Sequence, residues 1–112
     1  MINQEYNGWK NWATWNFNLW INNSEHLYNL IHTGLRSLDK RENPNYKVND
    51  EILENFQIRY LQGVAKTIVG HEKLCPDLKQ KDLKDIDFAE ILEALHQDDE
   101  LLTEVIEELN HE

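Results

Sequence analysis

The 112-residue sequence has little of what stiffens a chain covalently or sterically: one cysteine, two prolines and four glycines. A lone Cys75 cannot form an internal disulfide, which excludes a cystine-stapled secreted scaffold and favours a reducing, cytoplasmic setting. No two glycines stand close enough to shape a phosphate-binding loop. No apolar run approaches the roughly 18 residues of a membrane span, and the opening MINQEYNGWK lacks the basic-then-apolar pattern of a leader. A soluble protein with no membrane partner is the expectation.

Positive charge is missing from one end. The formal net charge is -10, yet residues 1–71 hold seven acids and seven bases, and residues 72–112 hold fourteen acids against four lysines. From Asp85 to Glu112 there are eleven acids and no lysine or arginine. An ordinary exposed helix mixes both signs and gains from i,i+4 pairs, so this one-sided run calls for an explanation beyond solubility.

With 40% hydrophobic residues the chain has enough apolar surface for one core of ordinary domain size, and residues 1–112 are read as a single domain with an acidic subregion at 85–112. Apolar residues recur mainly at helical spacing, so the expected fold is all-α, a compact bundle of four to five helices. Asn11 is a natural N-cap, with Thr14 able to turn its hydroxyl back toward it, for a helix from Trp12 to Asn22. On a helical wheel Trp12, Ala13, Trp15, Phe17, Leu19, Trp20 and Ile21 span roughly 240°, leaving Thr14, Asn18 and Asn22 on a narrow polar stripe. Such a helix belongs near the centre of a bundle. Asn16 falls inside the apolar arc and is expected to be a buried amide with specific partners.

Asn23 and Ser24 end this helix and cap a second, whose stripe is Leu27, Leu30, Ile31, Leu35 and Leu38. The aperiodic segment Asp39 to Asn49 is the principal loop and carries the basic residues Lys40, Arg41 and Lys47. Asn49 or Asp50 caps a third helix with Leu53, Phe56, Tyr60, Val64 and Ile68 at its face, stopped by Gly70. Residues 76–84 read as a polar connector. Asp87 and Glu90 form a capping box, with Ile86 and Ile91 as a hydrophobic staple, for a fourth helix burying Phe88, Ile91, Leu92 and Leu95. Leu102, Val105, Ile106 and Leu109 repeat that spacing in a final helix from about Asp98.

Chemistry-bearing patterns are incomplete. Glu93-x-x-His96 and Glu108-x-x-His111 have the spacing used in di-iron bundles, but the further inward glutamates such a centre needs have no candidates on the first two helices. His71 and Cys75 are two ligands where a zinc site needs at least three, and Cys75 lacks a recognisable base. The expectation is a protein that is not an enzyme and holds no metal or cofactor. Direct nucleic-acid binding is disfavoured by the field of a chain at -10.

The acidic end suggests the inverse relation. Duplex DNA carries one charge per about 1.7 Å of axis. Residues 85–112, if helical at about 1.5 Å each and folded as two antiparallel helices, present about one acid per 1.9 Å. An array of Glu90, Glu93, Asp98, Asp99, Glu100, Glu104, Glu107 and Glu108 would suit a cationic groove built for nucleic acid.

Asn11, Thr14, Trp15, Asn16, Leu19, Trp20, Ile21 and Asn23 follow the pattern N-x-x-T-W-N-x-x-L-W-I-x-N. Together with Gly8, this resembles a motif of small proteins from bacteriophages, plasmids and bacterial genomes. Ile86-Asp87-Phe88-Ala89-Glu90-Ile91 is similar to a second element of that group, in which tryptophan often stands where Phe88 does. The resemblance implies a mobile-element setting in a bacterial cytoplasm and no defined activity. In that setting an acidic protein is expected to act as an anti-CRISPR or antirestriction inhibitor, occupying the nucleic-acid channel of a basic partner complex. The alternative is a structural or oligomerising helical module, a homodimer included, whose acids are merely hydrated. An aromatic ligand cleft along the tryptophan-rich helix is the remaining option.

Overall fold

A computed structural model describes residues 5–38, 45 and 49–97. They form an all-α fold without strands: α1 (Trp12–Asn23), α2 (Glu25–Ser37), α3 (Asp50–Ile68), a 3-10 helix (Gln80–Asp85), and α4 over 88–97. The principal loop with Lys40, Arg41 and Lys47, and the final helix expected from Asp98, lie outside the described residues.

Side-chain caps set the helix starts, because the first N–H groups of a helix have no partner within it. Asn11 accepts from the Thr14 N–H, Ser24 from that of Leu27, and Asn49 from that of Ile52. Ser24 ends α1 and caps α2 at once, so those helices are joined by a single residue. Gly70 adopts φ 86°, in the left-handed region, and its N–H meets the Cys75 carbonyl at 2.9 Å. That turn, just past the end of α3, starts the connector back across the bundle.

Before α1 the arm makes a tight turn. Asn7 (φ 49°) and Gly8 (φ 87°) are both left-handed, and Tyr6 and Trp9 exchange two backbone hydrogen bonds of 2.8 Å. Asn-Gly is the dipeptide that a two-residue hairpin turn prefers, since both central positions need positive φ. Tyr6 then packs on Trp15, ring centroids 4.8 Å apart.

The core collects Phe17 and Ile21 of α1, Leu27, Ile31 and Leu35 of α2, Leu61, Ala65 and Ile68 of α3, Cys75 and Leu78 of the connector, and Ile86 to Leu95 around α4. Phe17 and Phe88 meet edge to face at 5.7 Å, joining the first and last described helices. The expected α4 face of Phe88, Ile91, Leu92 and Leu95 is the buried one.

Other faces differ from expectation. On α1, Thr14, placed on the polar stripe, is fully buried, whereas Trp12, placed in the apolar arc, is 40% exposed. A helix apolar over most of its circumference does not announce its buried side; hydrogen bonds to Thr14 decide it. On α2, Leu30 is 56% exposed while Leu27, Ile31 and Leu35 are buried, and Leu38 sits half-buried at the end of the helix. On α3 the buried row is Leu53, Gln57, Leu61, Ala65 and Ile68, which keeps the two ends of the expected row and shifts its three middle positions by one residue, turning the face by about 60°. Phe56 is therefore 42% exposed. Gln57 can occupy the row because its amide donates to the Leu38 carbonyl at 3.1 Å and meets His96 Nε2 at 3.4 Å.

Tyr60 also reaches from α3 to α2. Its hydroxyl donates to the Leu30 carbonyl at 3.0 Å, and its ring lies over Gly34, where any Cβ would overlap the phenol. Burial pushes the Tyr60 phenol above its ordinary range. In an exposed helix interior glycine to alanine stabilises by up to about 1 kcal/mol. Gly34→Ala is expected to reverse that sign and cost about 1–3 kcal/mol. Urea titration of Gly34→Ala alone and combined with Tyr60→Ala checks this, the penalty being smaller in the second background.

Candidate functional site

Two side chains of α1 and one exposed carboxylate organise the far side of the bundle. Asn16 Nδ2 donates to Asp77 Oδ2 at 3.1 Å, and Trp20 Nε1 donates to the same oxygen at 2.9 Å. Asn16 and Trp20 are four apart and so share a face of α1. The amide of Asn16, 2% exposed, is buried with a specific partner, as its place in the apolar arc predicts. These bonds hold the Asp77 carboxyl below its usual range, Asn16 first and Trp20 second. They anchor the connector to α1 through Asn16 Nδ2 and Trp20 Nε1, while Asn16 Oδ1 is buried without a hydrogen-bond partner among the described residues.

Next along the chain, the connector delivers α4 to a junction centred on Thr14. Its hydroxyl donates to Asn11 Oδ1 at 2.8 Å and accepts the Asp87 N–H at 2.9 Å. Asn11 Nδ2 donates to the Asp85 carbonyl at 2.6 Å. Asp87 caps α4 by accepting the Glu90 N–H at 3.1 Å, the expected half of the capping box. The reciprocal half is different: the Asp87 N–H goes to Thr14, which frees the Glu90 carboxylate to accept the Lys10 N–H at 3.0 Å. Lys10 Nζ also lies 3.4 Å from Asp87 Oδ2. The arm is thereby pinned beside α4.

This arrangement leaves an open groove of about 880 Å³ between the arm, α3 and the outer side of α4. Carboxylates from all three elements line it: Glu5 from the arm, Glu54 from α3, and Asp87, Glu90 and Glu93 at or on α4. Lys10 is the cation in the lining. Glu54 and Glu93 are exposed, whereas Glu90 is half-buried and committed to Lys10. Carboxylates converging on one groove add their fields at its mouth and give it a negative potential that attracts cationic groups.

Of the acidic array expected from sequence, Glu90 and Glu93 are brought together here. Asp98, Asp99, Glu100, Glu104, Glu107 and Glu108 lie outside the described residues. Glu5 and Glu54 were missed, being remote in sequence from the acidic run, and Asp87 was assigned only a capping role. Glu5 stands two residues before the Asn7-Gly8 turn, the one local cue that the arm folds back.

Among the described residues no three His, Cys, Asp or Glu side chains stand together as metal ligands. His96, three residues after Glu93, faces Gln57; the second Glu-x-x-His pair lies outside the described residues. Cys75 is fully buried, and burial, the largest influence, pushes its thiol up to about 11. A thiol so placed is a core group, because the thiolate is the reactive form. No helix among the described residues is long and apolar enough to cross a membrane.

The sequence profile of a family of unknown function matches residues 2–100 of the chain, a span that takes in every described element. No curated protein and no solved structure matches.

The hydrogen bonds predict two outcomes. Thr14→Val keeps the shape of the side chain and strands the Asp87 N–H, so a loss of about 1–3 kcal/mol is expected in urea unfolding. Asp77→Asn removes a carboxylate whose folded-state pKa is depressed. Its stabilisation is full above the unfolded value, near 3.8, and is lost as pH falls through the lower folded value. The stability gap between wild type and Asp77→Asn should therefore be constant from neutral pH to about 5 and close in stronger acid. Urea unfolding of the two proteins at a series of pH values reads that closure.

Proposed function

For this chain, which belongs to the family of unknown function DUF7249, we propose a role as a small acidic binding protein that engages the cationic nucleic-acid channel of a partner complex. The observation that carries this reading is the groove in which Glu5, Glu54, Asp87, Glu90 and Glu93 converge from three separate elements. Carboxylates held on folded elements need little ordering when a cationic surface arrives, so less of the attraction is lost on binding. The run from Asp98 to Glu108 continues the same charge. In the phage-like setting that the tryptophan motif implies, the partner is a host defence complex and the outcome is inhibition, as an anti-CRISPR or antirestriction protein. No catalytic step is assigned to the site.

A second reading is favoured by a different surface. Leu30, Ile52 and Phe56 are large apolar residues, each at least 40% exposed, on α2 and α3. They supply the surplus apolar area that a self-associating helical module would use.

The two readings respond oppositely to salt. Charge-mediated capture by a purified CRISPR effector or restriction nuclease should weaken steeply with added salt, while apolar self-association should not. Glu54→Lys with Glu93→Lys, both at exposed positions, is expected to weaken capture at low salt by about tenfold or more, with the helical circular dichroism unchanged. Undiminished capture by that double variant would sink the acidic-groove reading. A size-exclusion volume that shifts with Leu30→Ser and Phe56→Ser, and not with salt, would establish the second.

A further inference from the structure

Glycine in a helix interior is destabilising relative to alanine, so a glycine that stands there is expected to have a use. Three of the four glycines show theirs: Gly8 and Gly70 supply positive φ, and Gly34 makes room for the Tyr60 ring. Gly63 shows none among the described residues. It lies well inside α3, its φ is not positive, and a Cβ placed on it would meet nothing within 4 Å among those residues. Ile52, Phe56, Arg59 and Gly63 recur at i, i+4, i+7 and i+11 and so follow one side of the helix. On that side Ile52 and Phe56 are 40% and 42% exposed. Helix α2 borders it, because Tyr60, four residues after Phe56, donates to the carbonyl of the exposed Leu30. One outer face of the α2 and α3 pair therefore carries a half-exposed phenyl ring and, two turns further along, a gap where a side chain would stand.

We propose that this face pairs with the same face of a second copy of the chain, α3 against α3 in the antiparallel sense, with Phe56 of each copy seated on Gly63 of the other. This pairing rests on the self-association reading and deepens it by naming the surface, the orientation and the register. Shape selects the occupant first. Phe56 and Gly63 lie equally far on either side of the midpoint between Arg59 and Tyr60, so a two-fold axis there makes both ring-to-glycine contacts at once. A parallel pair in register would instead oppose Phe56 to Phe56. Charge selects the same orientation. The first turn of α3 carries Asp50 and Glu51 and its last turn Lys66, so antiparallel pairing sets the acidic start of each copy level with the basic end of the other and opposes the two helix dipoles. Residues 1–71, which supply the face, hold seven acids and seven bases, so the charge of -10 does not gather there. The like-charge contact in this arrangement is Arg59 with its own copy beside the axis, where the stems can lie along the seam and the guanidinium groups reach solvent. Glu54, two positions before Phe56, falls on the opposite side of α3, so the dimer keeps both acidic grooves open.

Sedimentation equilibrium of the full chain over a concentration series is expected to show a reversible equilibrium between monomer and dimer. Gly63→Leu is the deciding variant. Its side chain has room in the monomer, so the urea midpoint of the dilute protein should hold or rise, whereas the dimer dissociation constant should increase by about tenfold or more as the seat for Phe56 is filled. Phe56→Ala with Gly63→Phe moves the ring and the gap to each other's places and should restore the dimer, which a misfolded chain would not do. Arg59→Gln removes the like charges beside the axis without adding apolar area and should tighten the dimer about two- to fivefold at low salt. A dimer undiminished by Gly63→Leu yet lost in Leu30→Ser with Phe56→Ser overturns the pairing and leaves self-association standing. A folded swap variant that stays monomeric overturns the pairing as well, and a wild-type chain that stays monomeric overturns both. Capture of a cationic partner by the acidic groove is measured separately and is independent of these results.

Discussion

The hydroxyl of Thr14 is the point on which the rest of the structure depends. Within one turn of the start of α1 it donates to the capping side chain of its own helix and accepts the backbone N–H of Asp87, which caps α4. Two helix N-termini are thereby tied to a single oxygen atom, through a bond between residues 73 positions apart. A helix start leaves N–H groups without internal partners, and a buried one must find them in its surroundings. Because Thr14 is fully buried, losing its hydroxyl would leave a dry donor on α4 and detach the junction that orients the last helix.

Consequences reach the surface through substitution of partners. Once Thr14 takes the Asp87 N–H, Glu90 no longer needs to complete its local capping box and instead holds the arm through Lys10. The arm then lines the acidic groove together with α3 and α4. Asp77, gripped by Asn16 and Trp20, plays the corresponding part for the connector, which it fastens to α1 ahead of the 3-10 helix. Polar residues of the tryptophan-rich motif thus bind the chain to itself. The two elements of sequence resemblance, one around α1 and one around α4, prove to be neighbours in space.

Legibility of the sequence varied with the kind of information involved. Helix starts at Asn11, Ser24 and Asn49 were readable because capping is local, set by a side chain and an N–H three residues on. The buried face of α4 was readable because its apolar residues fall on one side and its acids on the other. On α3 the same reasoning picked Phe56 over Gln57, since hydropathy ranks the aromatic ring first. The structure instead buries Gln57, whose amide is satisfied by Leu38 of a different element. Of the groove, Glu90 and Glu93 stood out as part of an acidic run, whereas Glu5 and Glu54 carry no local sign that they face it.

The sequence by itself determined that this protein would be helical, where most helices begin, and that its charge would gather at one end. These follow from periodicity, capping chemistry and composition, which act over a few residues. Tertiary structure alone decided which side of α1 and α3 turns inward, that Thr14 rather than Glu90 completes the cap of α4, and that carboxylates far apart in the chain share one groove. Each of those outcomes rests on a hydrogen bond or contact between residues separated by tens of positions, and no local pattern encodes which distant partner will satisfy a given polar group.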